Sequence, residues 1–267
     1  MSRYILLSFD VEEFDMPLEY KQQITLVEQL KIGRLGLEAI TPILDDKNIA
    51  ATLFTTATYA INFPDKIRSL AQQHEIASHT YYHSTFKDED LLSSKLKLEE
   101  ISLKPVTGLR MPRMQKVAMG EVLKAGYTYD SSINPTYLPG RYNNLHLSRT
   151  LYNEEGIVRI PASVSANFRI PLFWLSFKNM PYFLFKTLAI QTLKKDGYLC
   201  LYFHPWEFAN AIAATALPGY TKRWCSSILL DRLQKLITDL KQEGEFITMQ
   251  QFVMQKAVGN FKQFSTH

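Results

Sequence analysis

The chain has 267 residues, 46% of them hydrophobic and 21% charged, with only 11 Gly and 12 Pro scattered along it. That composition excludes disordered, fibrous and low-complexity classes, and the length suffices for one substantial core. Thirty Lys+Arg against 26 Asp+Glu leave a formal charge of +4 with no basic run, so no nucleic-acid footprint is expected.

Short β-rich runs alternate with longer helical patterns, and no Gly/Ser linker marks a boundary. Strands are predicted at Tyr4–Phe9, Ala51–Thr55, Glu75–Ala77, Val106–Leu109, Tyr127–Tyr129, Ile157–Ile160, Tyr198–Phe203 and Phe246–Thr248. Helices are predicted at Gly33–Asp46, Pro64–Gln73, Asp88–Ile101, Lys116–Ala125, Pro181–Lys195, Trp224–Glu243 and Met249–Lys256. This alternation implies a single α/β domain with a mostly parallel sheet, and the strand count favours closure into a barrel. Barrels of that kind carry their chemistry where strands end and βα loops begin, so titratable residues at those points are the candidates to follow.

The first strand runs into Asp10, Glu12, Glu13 and Asp15. In extended backbone Asp10 and Glu12 share a face while Glu13 points away. Two carboxylates crowded there require a cation or basic partner unless the segment is an exposed acidic loop. The third strand is followed by Ser78-His79-Thr80-Tyr81-Tyr82-His83; on one turn of helix its histidines, at i and i+4, would face one cation. Beyond the fourth strand come Arg110, Met111, Pro112 and Arg113, with Arg110 suited to bidentate pairing with a carboxylate. Asp130 stands near the next strand end. From Ile170 to Leu193 an aromatic-rich stretch, broken by Lys178 and Lys186, is too short in apolar residues to span a membrane; it could pack on the core or touch lipid. The last long strand ends in His204-Pro205-Trp206-Glu207, placing a titratable imidazole beside a Trp.

In order, FDVEE, SHTYYH, GLRMP, YDSS and LYFHPWE resemble the motifs of the polysaccharide deacetylase family, which is named for homology to the nodulation chitooligosaccharide deacetylase; the resemblance covers roughly residues 4–250. It implies an irregular (β/α)7-like barrel, with residues 1–267 as one catalytic domain. It also implies Asp10 as catalytic base, Arg110 as its partner, Glu12, His79 and His83 as ligands of a divalent metal, most simply zinc, and His204 as general acid. Asp130 lies where a carboxylate could orient His204, and Trp206, Pro112 and Arg113 are candidates for contacting substrate. Many members have adjacent aspartates in the first motif, whereas here Val11 separates Asp10 from Glu12, as in a subgroup with separated carboxylates; Glu13 or Asp15 could replace Glu12 as ligand.

The implied activity is metal-dependent removal of N-acetyl groups from an N-acetylated sugar of a polysaccharide, oligosaccharide or lipid-linked glycan. Hydrolysis of a small cyclic amide or imide on the same fold, and sugar binding without turnover, are the alternatives. Cys200 and Cys225 read as free thiols of a reducing compartment. The N-terminal segment lacks the pattern of a secretory signal, so a cytoplasmic location is expected, with peripheral membrane contact if the substrate is lipid-linked.

Overall fold

The computed structural model describes residues 2–263. Its strands are β1 (Tyr4–Val11), β2 (Thr52–Thr55), β3 (Glu75–Ser78), β4 (Gly108–Leu109), β5 (Tyr129–Asp130), β6 (Tyr137–Leu138), β7 (Tyr142–Asn143), β8 (Tyr152–Glu154), β9 (Ile157–Arg159), β10 (Tyr198–Phe203) and β11 (Glu245–Phe246). The main sheet runs β10-β1-β2-β3-β4-β5-β9-β8, and β11 pairs with the start of β1. Neighbours from β10 to β9 are parallel, while β8 and β9 form an antiparallel hairpin. The sheet curls into the expected irregular barrel. Its last gap is bridged by one residue: Ser163 N donates to Cys200 O, and Cys200 N donates to Ser163 Oγ, each at 2.9 Å.

β1 shows how the sequence builds this shape. Its run YILLSFDV is buried from Ile5 onward, as a parallel strand covered on both faces must be. Alternate side chains Ile5, Leu7, Phe9 and Val11 pack outward against helices, whereas Leu6 joins Phe54, Ala77, Tyr129 and Cys200 inside the barrel. Met249 and Phe252 close that inner cluster beside Tyr4 and Tyr198, at the strands' N-terminal end. The opposite end is left for the polar residues.

The helix predicted from Gly33 begins earlier, at Leu26, and runs to Leu44. Thr25 and Glu28 form a capping box that fixes this start. Inside it, Gly33 and Gly36 let the helix press on the two loops that carry the candidate site. A Cβ on Gly33 would lie 2.5 Å from Glu12 O, and one on Gly36 would lie 2.1 Å from Pro205 O. Short elements without long periodicity escaped the sequence reading: the helices Met16–Glu19, Ala57–Asn62 and Trp174–Asn179, the hairpin β6–β7, and the strand β8 that pairs with the expected β9.

The stretch from Ile170 to Leu193 packs on the core, with Leu172, Phe173, Trp174, Phe177, Phe185 and Leu193 buried. Among the described residues no helix is long and apolar enough to cross a membrane.

The glycine contacts yield a prediction. Gly36→Ala must displace the Pro205 backbone rather than a flexible side chain, and should destabilise the fold by about 1–3 kcal/mol or more in urea unfolding. A midpoint equal to wild type would show that the helix does not bear on the His204 loop.

Candidate active site

All four acids after the first strand are buried: Asp10, Glu12, Glu13 and Asp15 are 2–4% exposed, so this is no solvated loop. β1 stops at Val11, and the four diverge to separate partners. Asp10 Oδ1 accepts from Arg110 Nη1 at 2.6 Å. Arg110 is fully buried and its contact with Asp10 is single rather than bidentate. Its Nε and Nη2 bind Ser131 O and Oγ, Nη1 also reaches Ser8 Oγ, and Phe54 stacks 4.0 Å from the guanidinium. Burial opposes the Arg110 charge, but Asp10 outweighs it and raises the guanidinium pKa above its ordinary value.

His79 and His83 do not lie on a helical turn. They follow β3 in an irregular loop with Thr80 at φ 62°, held by hydrogen bonds from Ala57 N to Thr80 O and from Thr58 N to Tyr81 O. This loop, not the i,i+4 spacing of a helix, brings the rings together, with centroids 5.5 Å apart. Both Nε2 atoms stand 3.0 Å from Glu12 Oε2. That oxygen is buried and, among the described residues, has no hydrogen-bond partner, while Oε1 accepts from Trp206 Nε1 at 2.9 Å.

The outer faces of the imidazoles decide what the centre can hold. His79 Nδ1 lies 2.7 Å from Arg110 O, and His83 Nδ1 lies 2.7 Å from Asp15 Oδ1. Both partners are acceptors, so each Nδ1 carries the hydrogen and each neutral ring offers its Nε2 lone pair inward. Three lone-pair atoms facing one another in a buried pocket repel unless a cation lies among them. Two imidazoles and a carboxylate, backed by carbonyl and carboxylate acceptors, fit a divalent transition metal with open positions. Without one, a proton must serve. Burial opposes the His83 charge, yet Glu12 and Asp15 raise it to about 10; burial likewise would raise Glu12, but the two histidines hold it well below the usual carboxylate range.

The alternative ligands have other duties. Glu13 accepts from Thr56 Oγ1 at 2.6 Å and from His83 N at 3.0 Å, fixing the histidine loop. Asp15 supports His83 and is itself held by Arg113 Nη2 at 2.7 Å. Arg113, in left-handed backbone at φ 55°, also binds Glu19 and the His83 carbonyl.

His204 follows β10. Its Nε2 is 3.8 Å from Asp10 Oδ2, and its ring stacks on Trp206 with centroids 4.9 Å apart. The residue behind it is Glu207, whose Oε1 lies 3.0 Å from His204 Nδ1 and whose Oε2 lies 2.9 Å from Lys178 Nζ. Burial works against the imidazolium, but Glu207, Glu12 and Asp10 raise the His204 pKa above its ordinary value. Asp130 does not take this place. It is bound to Ser132 and pairs with Arg159 at 2.9 Å, because β9 lies next to β5 and brings that guanidinium opposite it.

Asp10, Glu12, His79, His83 and His204 open into one cavity of about 280 Å³, walled by aromatic residues including Trp174, Trp206, Tyr142 and Tyr202. Arg113 lines it; Pro112 is buried and does not, since its 3₁₀ turn sets only Met111, Arg113 and Met114 against the cavity. Sequence reasoning missed Lys178 and the role of Glu207. A lysine directly after the aromatic run Phe173-Trp174-Leu175-Ser176-Phe177 was the available signal.

Two family models match the chain: polysaccharide deacetylase over residues 32–129 and a domain of unknown function, DUF3473, over residues 131–254. No curated protein matches it. Among solved structures it resembles a Mycobacterium smegmatis protein assigned to the polysaccharide deacetylases, at 18% identity and TM-score 0.66, over 97% of this chain and 92% of that one. A Pseudomonas aeruginosa PAO1 protein with the same assignment matches at 14% identity and TM-score 0.63, over 93% and 88% of the two chains. Puue allantoinase matches at 16% identity and TM-score 0.63, over 92% and 87%. At these identities the likeness is one of fold.

The ligand geometry is testable by equilibrium dialysis against zinc with elemental analysis. Wild type should hold one ion per chain, and His79→Ala and His83→Ala should hold none. Asp15→Asn should keep the site with affinity lower by about 10- to 100-fold. Equal loading of wild type and both histidine variants would place any metal elsewhere.

Proposed function

Because this chain belongs to the polysaccharide deacetylase family, we propose that its site hydrolyses the N-acetyl group of an N-acetylated sugar, with a divalent metal, most simply zinc, as cofactor. The observation that carries the reading is the meeting of an inward-facing Glu12–His79–His83 set with Asp10 and His204 in one cavity. A sugar-binding protein without turnover has no use for both a base and an acid at that distance.

Glu12, His79 and His83 would hold the metal, which when bound supplies Lewis acidity toward the acyl oxygen and acidifies a water. The chain's own groups then divide the proton transfers. Asp10 uses Oδ1 on Arg110, so Oδ2 is left to accept the proton of the attacking water. His204, whose proton is retained above the ordinary 6.5 of imidazole, gives it from Nε2 to the departing nitrogen. Water thereby adds across the amide C–N bond, giving acetate and an amino sugar. Trp174, Trp206 and Tyr202 surround these groups and keep the transfers in an apolar setting, where the charges interact more strongly than in water.

The cavity lies near the small end of ligand pockets, roughly 300–1,000 Å³, so it takes about one sugar ring. Arg113, Met114, Arg141 and Tyr142 also wall a neighbouring cavity of about 570 Å³, which gives the rest of a longer glycan a path.

Acetate release from N-acetylglucosamine oligomers by the zinc-loaded protein tests the reading. Asp10→Asn should lower kcat by about 100-fold or more. Activity should fall as pH rises through the His204 pKa, that is, above the usual imidazole range. Ring opening of a cyclic amide or imide with no acetate release would transfer the reading to that reaction class.

A further inference from the structure

We propose that the buried Lys178–Glu207 pair is the positioning device for His204, locking its ring with Nδ1–H toward Glu207 and Nε2 toward Asp10 and the cavity. The inference rests on the deacetylase reading, in which His204 is the acid. The geometry is restrictive. Glu207 Oε1 accepts from the His204 backbone N at 2.7 Å and from its Nδ1 at 3.0 Å, so one oxygen grips main chain and ring together. Oε2 is 2.9 Å from Lys178 Nζ, and both side chains are wholly buried. Lys178 Nζ also donates to Thr221 O at 2.8 Å and lies 5.0 Å from the Trp174 ring and 5.6 Å from the Trp206 ring.

Energetics favour an orienting role over a purely stabilising one. A buried ion pair gains little over an apolar pair of similar volume, because desolvation offsets the attraction. What the pair supplies is direction. With Lys178 behind it, Glu207 keeps the charge that an imidazolium needs: burial pushes its carboxyl up, and Lys178 and His204 pull it below the usual range. The groups facing His204 from the surrounding elements are Asp10 on β1, Glu12 beyond it, Tyr202 on β10, Trp174 on the helix Trp174–Asn179, and Trp206 and Glu207 on its own turn. Among the described residues only Glu207 reaches Nδ1, and Asp130 is taken by Ser132 and Arg159. The region matching a domain of unknown function therefore supplies the acid and its support, while the region before it supplies both histidine ligands.

The test uses full-length wild type, Glu207→Gln and the neutral double variant Lys178→Met/Glu207→Gln. Three readouts are the ¹⁵N signals of the His204 ring, the pH profile of kcat/KM on N-acetylglucosamine oligomers, and near-UV circular dichroism as a check of folding. At a pH above the His204 pKa, where the ring is neutral, wild type should show the Nδ1–H tautomer. Both variants should lose about 10- to 100-fold in kcat with KM within about twofold, and their alkaline limb should move to lower pH. An unmoved alkaline limb, with kcat falling only as folded protein is lost, would make the pair structural and overturn the proposal. An Nε2–H tautomer in wild type would overturn it even if neither variant folds. Absence of acetate release by wild type would instead remove the deacetylase reading, and the ring tautomer would still decide how His204 is held.

Discussion

The site depends on buried negative charge at the ends of the strands, with basic side chains set against most of the anions. Asp10 has Arg110, Asp15 has His83 and Arg113, Asp130 has Arg159, and Glu207 has Lys178. Removing one member of such a pair leaves an uncompensated charge in the interior, at about 3–5 kcal/mol. Each pairing therefore fixes its carboxylate in place. Glu12 stands apart in another way: its Oε2 meets two imidazole nitrogens and, among the described residues, no hydrogen-bond partner, which is the arrangement a cation completes.

The fold makes this crowding sustainable. Inside the barrel, Leu6, Met249 and Phe252 close the end near the strands' N-termini, where Glu75 is tied to Thr52 and Tyr129, and all five catalytic candidates emerge into one cavity at the other. The helix Leu26–Leu44 braces that end from outside. Gly33 allows it to rest against the Glu12 carbonyl and Gly36 against that of Pro205, one loop bearing a proposed ligand and the other following the proposed acid. Packing of one helix thus couples the Glu12 side of the site to its His204 side.

Much of this was legible from short motifs because strand ends are marked by abrupt changes from apolar to titratable residues. Asp10, Glu12, His79, His83, Arg110 and His204 all follow such changes, and the structure gathers them. What escaped depended on backbone that periodicity does not encode. The His79–His83 loop relies on Thr80 in left-handed conformation and on hydrogen bonds from Ala57 and Thr58, and no helical spacing is involved. Asp130 was misassigned because its partner is set by which strand lies beside β5, a matter of topology. Glu207 was visible in the motif, but its direction follows from a 3₁₀ turn, and Lys178 arrives from a separate helix. The capping box at Thr25 and Glu28 was present in the sequence but went unread, so the bracing helix was expected to start at Gly33 rather than Leu26.

The most direct measurement of the central claim is X-ray absorption at the zinc edge of protein loaded with one equivalent of zinc. The account predicts a light-atom first shell at about 2.0–2.2 Å with the outer-shell pattern of two imidazoles. A shell containing sulfur at about 2.3 Å, or one lacking imidazole scattering, would contradict it.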